Sequence, residues 1–429
     1  MGSAALKNIR FAGFETESVT FRLYILFFDY LMQRLQHLSS MDFTVFSHLR
    51  WNFVFQRPQH LLTRCARSSR VFYWEEPVFG APAAFVELRD VSQNLKVAVP
   101  HLPSQLSPQE ANRVQRFLLK EMIVRHGLND IVSWYYTPMA VHFTEDIQAR
   151  AVVYDCMDEL SAFRGAPEGL RAAEAELFQR ADLVFAGGKT LFESKRRCHS
   201  SVHCFPSSID RDFFATARKI HAEMNDQAQI PHLRLGYAGV IDERMDLALL
   251  AAVADARPEW HLVLLGPVVK ISASDLPQRR NIHYLGYKDY RLLPGYFAGW
   301  DAGLLPFALN ESTRYISPTK TPEYLAAGLP AISTPITDVV DPYGVRGLVQ
   351  IAGNADEFVR AIESVLPLRN CSTRLREVDR YLSDLSWDST WQRMSHLIYD
   401  VACPIRRSAP NHSIANVTAA DGRVECSTT

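Results

Sequence analysis

The residues best placed to do chemistry lie in one stretch, Asp301–Pro335, DAGLLPFALNESTRYISPTKTPEYLAAGLPAISTP. An apolar strand, Gly303–Phe307, runs into a polar loop. A helix then opens near Ser317-Pro318-Thr319-Lys320, carries Glu323 and closes at Gly328, and a second strand runs through Ile332. A helix start offers unpaired N–H groups and the positive end of the helix dipole, so it holds a phosphate, and proline is tolerated there. Lys320 adds a point charge for the same anion. Glu323, three residues on, shares a helix face with Lys320 and can accept hydrogen bonds from a diol such as ribose. Phosphate and ribose together mean a nucleotide. The helix cap falls on Ser317, Thr319 or Thr321, with Pro322 also in or near the first turn.

Other candidates follow strand ends. Gly239, between an apolar strand and a polar turn, lets backbone approach a pyrophosphate, or simply makes a tight turn. Arg244 is a cation nearby in sequence. Tyr287 follows Gly286 and either lines a base pocket or packs. In the first half His48 follows the first strand, and Arg50, Gln56 and Arg57 come before the helix that opens at Pro58. A hydroxyl acceptor needs a general base. Asp158 is the leading choice, then His48, Asp155 and Glu159, against the alternative that a strand-end aspartate caps the next helix. His60 reads as structural. Gly187-Gly188-Lys189-Thr190 follows a strand and opens a helix, but a phosphate loop requires glycine at position 183, which is leucine. With no G-x-G-x-x-G after a first strand, a dinucleotide oxidoreductase has little support.

The elements that carry these residues alternate. Strand-like runs at Phe43–Phe46, Val71–Trp74, Ile131–Tyr135, Ala151–Tyr154, Leu183–Ala186 and Val202–Phe205 are interleaved with helical segments Pro58–Ala66, Pro108–Arg125, Glu168–Ala181 and Lys189–Arg197. The pattern pauses in a polar segment, Arg211–Pro231. It restarts with Leu233–Ala238, His261–Leu265, Asn281–Leu285, Gly303–Phe307, Ala331–Ser333 and Leu348–Ile351. Alternation of this kind predicts parallel βα units, here an α/β chain of two doubly wound domains. The predicted boundaries are an extension over 1–40, a first domain over 41–215, a linker over 216–231, a second domain over 232–370, a C-terminal crossover region over 371–403 and a disordered tail over 404–429. The late helix Asp388–Val401, with no strand after it, is expected to cross back onto the first domain. Ligands of open α/β sheets bind beyond the carboxyl ends of strands, so two such sheets face to face make a cleft.

Composition agrees with small-molecule chemistry. The 429 residues exceed a single core, and 46 Lys and Arg against 47 Asp and Glu leave no basic footprint for nucleic acid. Seven scattered cysteines without C-x-x-C spacing argue against a zinc site or a disulfide framework and for a reducing cytosol. The apolar run Val19–Met32 is broken by Arg22 and Asp29 and is too short to span a membrane.

Four segments carry a family resemblance: SHLRWNFVFQRPQHLL (Ser47–Leu62), VVYDCMDELSAF (Val152–Phe163), ADLVFAGGKTL with FPSSID (Ala181–Leu191, Phe205–Asp210), and SPTKTPEYLAAGLPAI (Ser317–Ile332). Over Met41–Ala402 the chain resembles GT-B glycosyltransferases of the large group 1, family four type that includes bacterial surface-polysaccharide enzymes, in particular the teichuronic-acid branch. The resemblance implies two Rossmann-like domains, the second binding a nucleotide-sugar donor through Lys320, Glu323, Gly239, Arg244, Ser317, Thr319 and Tyr287, the first binding the acceptor. It implies transfer of a hexose-type sugar, UDP-linked or related, to a hydroxyl of a surface glycan or lipid-linked acceptor, with no metal and no cofactor beyond the co-substrate. The enzyme would be cytoplasmic, and a lipid-linked acceptor would bring it to the inner face of the membrane as a peripheral protein. Three positions depart from the family. Tyr315 stands where a first glutamate is usual, Val240 where an arginine holds the pyrophosphate with no lysine after it, and Met157-Asp158 where His-Asp is common. These departures count against the usual retaining mechanism and keep open a non-catalytic nucleotide-sugar-binding subunit, while the shared two-domain architecture keeps open a nucleotide-sugar epimerase.

Overall fold

The computed structural model describes residues 41–369 and 371–404; the extension expected over 1–40 and all but the first residue of the expected tail lie outside them. Two sheets organise the chain. The first holds β1 (Asp42–Phe46), β2 (Arg70–Trp74), β3 (Val78–Phe79), β4 (Phe85–Ser92), β5 (Leu95–Leu102), β6 (Ile131–Tyr135), β7 (Ala151–Cys156), β8 (Leu183–Ala186) and β9 (Val202–Cys204). Its order is β3-β5-β2-β1-β6-β7-β8-β9, with β4 pairing β5. The second holds β10 (Arg234–Ala238), β11 (His261–Leu265), β12 (Ile282–Gly286), β13 (Ala302–Leu305), β14 (Ala331–Ser333) and β15 (Gln350–Ile351), in the order β12-β11-β10-β13-β14-β15. Every pairing is parallel except β4 with β5. All five residues of β1 and of β10 are buried, as strands covered by helices on both faces must be.

Each sheet reverses its winding once, between β1 and β6 in the first and between β10 and β13 in the second. Those are the switch points where strand ends diverge and leave a crevice. The helices used below are α1 (Arg57–Cys65), α2 (Pro108–Arg125), α3 (Leu170–Arg180), α4 (Lys189–Lys195), α5 (Arg211–Ala215), α6 (Leu247–Ala256), α7 (Leu293–Ala298), α8 (Lys320–Ala326), α9 (Thr337–Val339), α10 (Ala355–Val365), α11 (Ser372–Leu382) and α12 (Trp387–Ala402).

The late helix does cross back. Trp387, Met394, Ile398, Tyr399 and Ala402 of α12 belong to the core cluster of the first sheet, beside Phe43, Leu61 and Trp134. The Trp387 ring lies on His60 of α1 at 4.5 Å and 9°, which gives His60 the structural place expected of it. The junction is also tied by ions: Arg64 of α1 reaches Asp210 at 2.6 Å and Asp388 at 2.9 Å.

Two features were not anticipated. The hairpin β4–β5 was not read as strand, because β4 carries Glu87, Arg89 and Asp90 and β5 contains Pro100, which masks its apolar alternation. The polar segment Arg211–Pro231, where the alternation pauses, opens with α5, whose Phe214 is fully buried and stacks on Phe297 at 5.5 Å.

Candidate functional site

An open cleft lies between the two sheets. From the first domain it is lined by Val54–Arg57 after β1, Met157 and Asp158 after β7, Gly187 after β8, and Ser207. From the second it is lined by Gly239, Val240 and Arg244 after β10, Tyr287, Lys288 and Tyr290 after β12, and Ile316–Lys320 after β13. Nearly all of these follow carboxyl ends of parallel strands, the location the topology requires.

Helix α8 begins at Lys320 with Thr319 in the capping position and makes no side-chain cap bond. The Lys320 ammonium is 2.5 Å from the Glu323 carboxylate. Both side chains are largely buried, and burial pushes the Glu323 carboxyl up against the opposing pull of Lys320. Lys320, Thr319 and Ser317 line the cleft, whereas Glu323 sits one layer behind and reaches it through Lys320. Gly239 lines the cleft too; a Cβ there would lie 2.7 Å from the Tyr237 hydroxyl, so the glycine is required by close packing at the end of β10.

Arg244 lines the cleft with two of its nitrogens held by Asp242, at 3.0 Å and 2.7 Å. Its guanidinium also lies 5.4 Å from the ring of Phe163, which comes from the first domain. Tyr287 is half exposed at the rim. Tyr290 and Lys288 line the cleft without a signal in the sequence beyond their position just after β12, whereas Gln56 and Arg57, of the polar cluster expected to face donor or acceptor, line it and Arg50 does not.

The four base candidates separate clearly. Asp155 is fully buried and bound by Arg57, whose Nε lies 3.0 Å and 3.1 Å from its two oxygens, so it is a structural ion and not a base. Glu159 is paired with the Lys195 ammonium at 2.7 Å and is absent from the cleft lining. Burial, with the charge of Lys270, holds His48 down to about 4, and His48 is not among the lining residues. Asp158 faces the cleft, and burial raises its carboxyl to about 6 although Arg244 and Arg57 pull it down. A carboxylate whose proton affinity lies near neutral pH suits a base better than an imidazole near 4.

Tyr315, at the position of the family's first glutamate, packs against the core cluster of the first domain and lies outside the cleft lining. The Arg314 guanidinium covers its ring at 5.4 Å.

Residues 233–367, which carry the whole second sheet, match the family model described as glycosyl transferases group 1. Those residues form a group 1 glycosyl transferase domain. TuaH of Bacillus subtilis (strain 168), named for teichuronic acid biosynthesis as a glycosyltransferase, is 24% identical over 253 residues, 54% of this chain and 63% of TuaH. The match therefore spans less than two thirds of that relative's length. Among solved structures, sucrose-phosphate synthase from Thermosynechococcus elongatus superposes with a TM-score of 0.63 at 14% identity, covering 83% of this chain and 98% of that one. The E. coli trehalose-6-phosphate structure bound with UDP-2-fluoro glucose gives 0.62 at 13% identity, covering 84% and 99%. WaaG, a glycosyltransferase of lipopolysaccharide biosynthesis, gives 0.57 at 14%, covering 83% and 99%. These likenesses establish the architecture as GT-B. Gly239, Arg244, Tyr287, Ser317, Thr319, Lys320 and Glu323 all fall within the group 1 domain, and Asp158 and His48 lie in the domain facing it.

Proposed function

We propose that this chain moves a hexose-type sugar from a nucleotide sugar, UDP-linked, to a hydroxyl of a cell-surface polysaccharide or a lipid-linked glycan. The observation that carries the reading is the cleft itself, where Lys320, Thr319 and Ser317 of the group 1 domain stand opposite Asp158 of the other. The UDP choice is favoured by the E. coli neighbour holding UDP-2-fluoro glucose, and the surface-glycan choice by the TuaH match.

In this reading Lys320 and Arg244 flank the diphosphate and Glu323 turns from Lys320 to the ribose diol. The acceptor oxygen attacks the anomeric carbon as its proton passes to Asp158. The bond from that carbon to the diphosphate breaks, and the nucleoside diphosphate leaves with the bonding electrons. Fixed cations aimed at the developing charge stabilise that departure without having to reorganise. No helix among the described residues is long and apolar enough to cross a membrane; attachment to the inner face would come through the lipid-linked acceptor.

A thermal-shift screen of UDP-, GDP- and dTDP-sugars tests donor use. A UDP-hexose at about 100 times its Kd should stabilise the protein by about 2.7 kcal/mol, and no shift with any of the three would remove the reading. Lys320→Ala and Glu323→Ala should each weaken UDP-sugar binding about 10- to 100-fold, the worth of one or two charge-assisted hydrogen bonds. Titration calorimetry checks this, and wild-type affinity in both variants would sink the donor assignment.

A further inference from the structure

The turn Gly187-Gly188-Lys189-Thr190, set aside as a phosphate loop, lies where the two domains meet. Asp338 of α9 reaches over from the donor domain and accepts from the backbone N–H of Lys189 at 2.7 Å, the N–H of Thr190 at 3.0 Å and the Thr190 hydroxyl at 2.5 Å. The Lys189 ammonium pairs with Asp341 at 2.5 Å. The seat is close: a Cβ on Gly188 would lie 2.3 Å from Asp338 Oδ2 and 3.0 Å from the Cβ of Ser317. Ser317, at the mouth of the donor site, accepts through its carbonyl from the Ser207 hydroxyl of the opposite domain at 3.0 Å.

The other side of the same turn supports the loop that bears Asp158. The Gly187 N–H donates to the Cys156 carbonyl at 2.8 Å, and a Cβ on Gly187 would lie 2.5 Å from the Met157 carbonyl. At the far end of α4, Lys195 holds Glu159 at 2.7 Å and Glu174 at 2.8 Å. Asp158 is thus flanked in sequence by Met157, which rests on the glycine turn, and Glu159, which is gripped by α4. The donor domain touches that same turn from its other face.

We propose that Asp338 is a positioning residue: docked on the 187–190 turn, it fixes the 157–159 loop, and with it Asp158, relative to Ser317–Lys320 of the donor site. The mechanical part stands on the contacts alone, while its consequence for turnover rests on the proposed transfer. A carboxylate that did no more than cap α4 would satisfy two free N–H groups and act within that helix. Mechanical coupling requires an effect on 157–163, a segment Asp338 does not touch.

Hydrogen exchange of the full chain, followed by mass spectrometry, separates the two. In Asp338→Ala, peptides covering 189–190 and also 157–163 should exchange about tenfold faster than in the wild type, about 1.4 kcal/mol of lost protection. Thr190→Val, which removes one hydroxyl and leaves the two N–H bonds, should move both peptides in the same direction by less, and it carries the test if Asp338→Ala does not fold. Faster exchange at 189–190 with 157–163 unchanged in either variant would reduce Asp338 to a local cap and overturn the proposal. With a sugar nucleotide turned over, Asp338→Ala should lower kcat at least about tenfold with donor KM within about twofold, and Asp338→Asn, keeping one acceptor oxygen, should recover part of it. An unchanged kcat would overturn the catalytic consequence. A wild-type protein that turns over no sugar nucleotide would remove the proposed transfer while leaving the exchange result to decide the coupling.

Discussion

Asp158→Asn should lower kcat by about 10²- to 10⁴-fold, the usual worth of a positioned general base, with donor affinity kept within a few-fold. The side chain is the one carboxylate among the four base candidates that both faces the cleft and is raised to about 6. Asparagine keeps its shape and cannot take a proton. Because the base works as the carboxylate, kcat/KM of the wild type should be level above that value and fall about tenfold per pH unit below it. The residual activity of Asp158→Asn should lack that acidic limb. His48→Gln supplies the contrast. An imidazole held down to about 4 and absent from the cleft lining should cost less than about tenfold when replaced. An Asp158→Asn protein that keeps more than about a tenth of wild-type kcat would assign the proton to another group.

Arg57→Ala should destabilise the first domain by about 3–5 kcal/mol, the penalty for removing one partner of a buried ion pair. Arg57 opens α1 and is 3% exposed, and Asp155 at the end of β7 is 0% exposed. Besides the carboxylate, Arg57 reaches the Phe205 carbonyl at 2.7 Å through Nη1, so three segments distant in sequence converge on one guanidinium. Burial already raises the Asp155 carboxyl despite Arg57. Without Arg57 the carboxyl folds best as the neutral acid. Its folded proton affinity then exceeds its unfolded one, so the variant should be least handicapped below the unfolded value near about 3.9 and lose stability as pH rises. Urea unfolding at several pH values checks both size and sign. The double variant Arg57→Met with Asp155→Leu should recover most of the loss, because a buried pair replaced whole by apolar groups costs little. A single-variant loss under about 1 kcal/mol would mean that water reaches the pair and that it is no keystone.

What was legible in the sequence was whatever short-range pattern could carry. The βα alternation places every strand of the second sheet to within a few residues, most firmly the central ones, because strands buried on both faces are continuous apolar runs: the run Leu233–Ala238 stands where β10 spans Arg234–Ala238. The run Ser317–Lys320 marks a helix start beyond a strand end, and the cleft lining includes all four residues. Pairing between distant residues was not legible. Asp155 was an eligible base until its partner, 98 positions away, was placed beside it. The Gly187–Thr190 turn lacks the leading glycine of a phosphate loop, yet nothing near it in sequence announces the carboxylate of Asp338, 149 positions from Lys189, that occupies the Lys189 and Thr190 N–H groups. Tyr315 was legible as a departure from the family's glutamate, but only its packing against the core of the first domain explains that this position has left the cleft.

The most direct test is acceptor-dependent release of nucleoside diphosphate. Purified protein is supplied with a UDP-hexose, with and without a surface-glycan or lipid-linked acceptor extract, and free UDP and the sugar product are followed together. Transfer across the cleft predicts UDP release that rises at least about tenfold with acceptor, an excess matched by sugar gained on the glycan and lost in Asp158→Asn. Conversion of the UDP-hexose into an isomeric UDP-sugar without acceptor, or tight donor binding with no release under either condition, would contradict it.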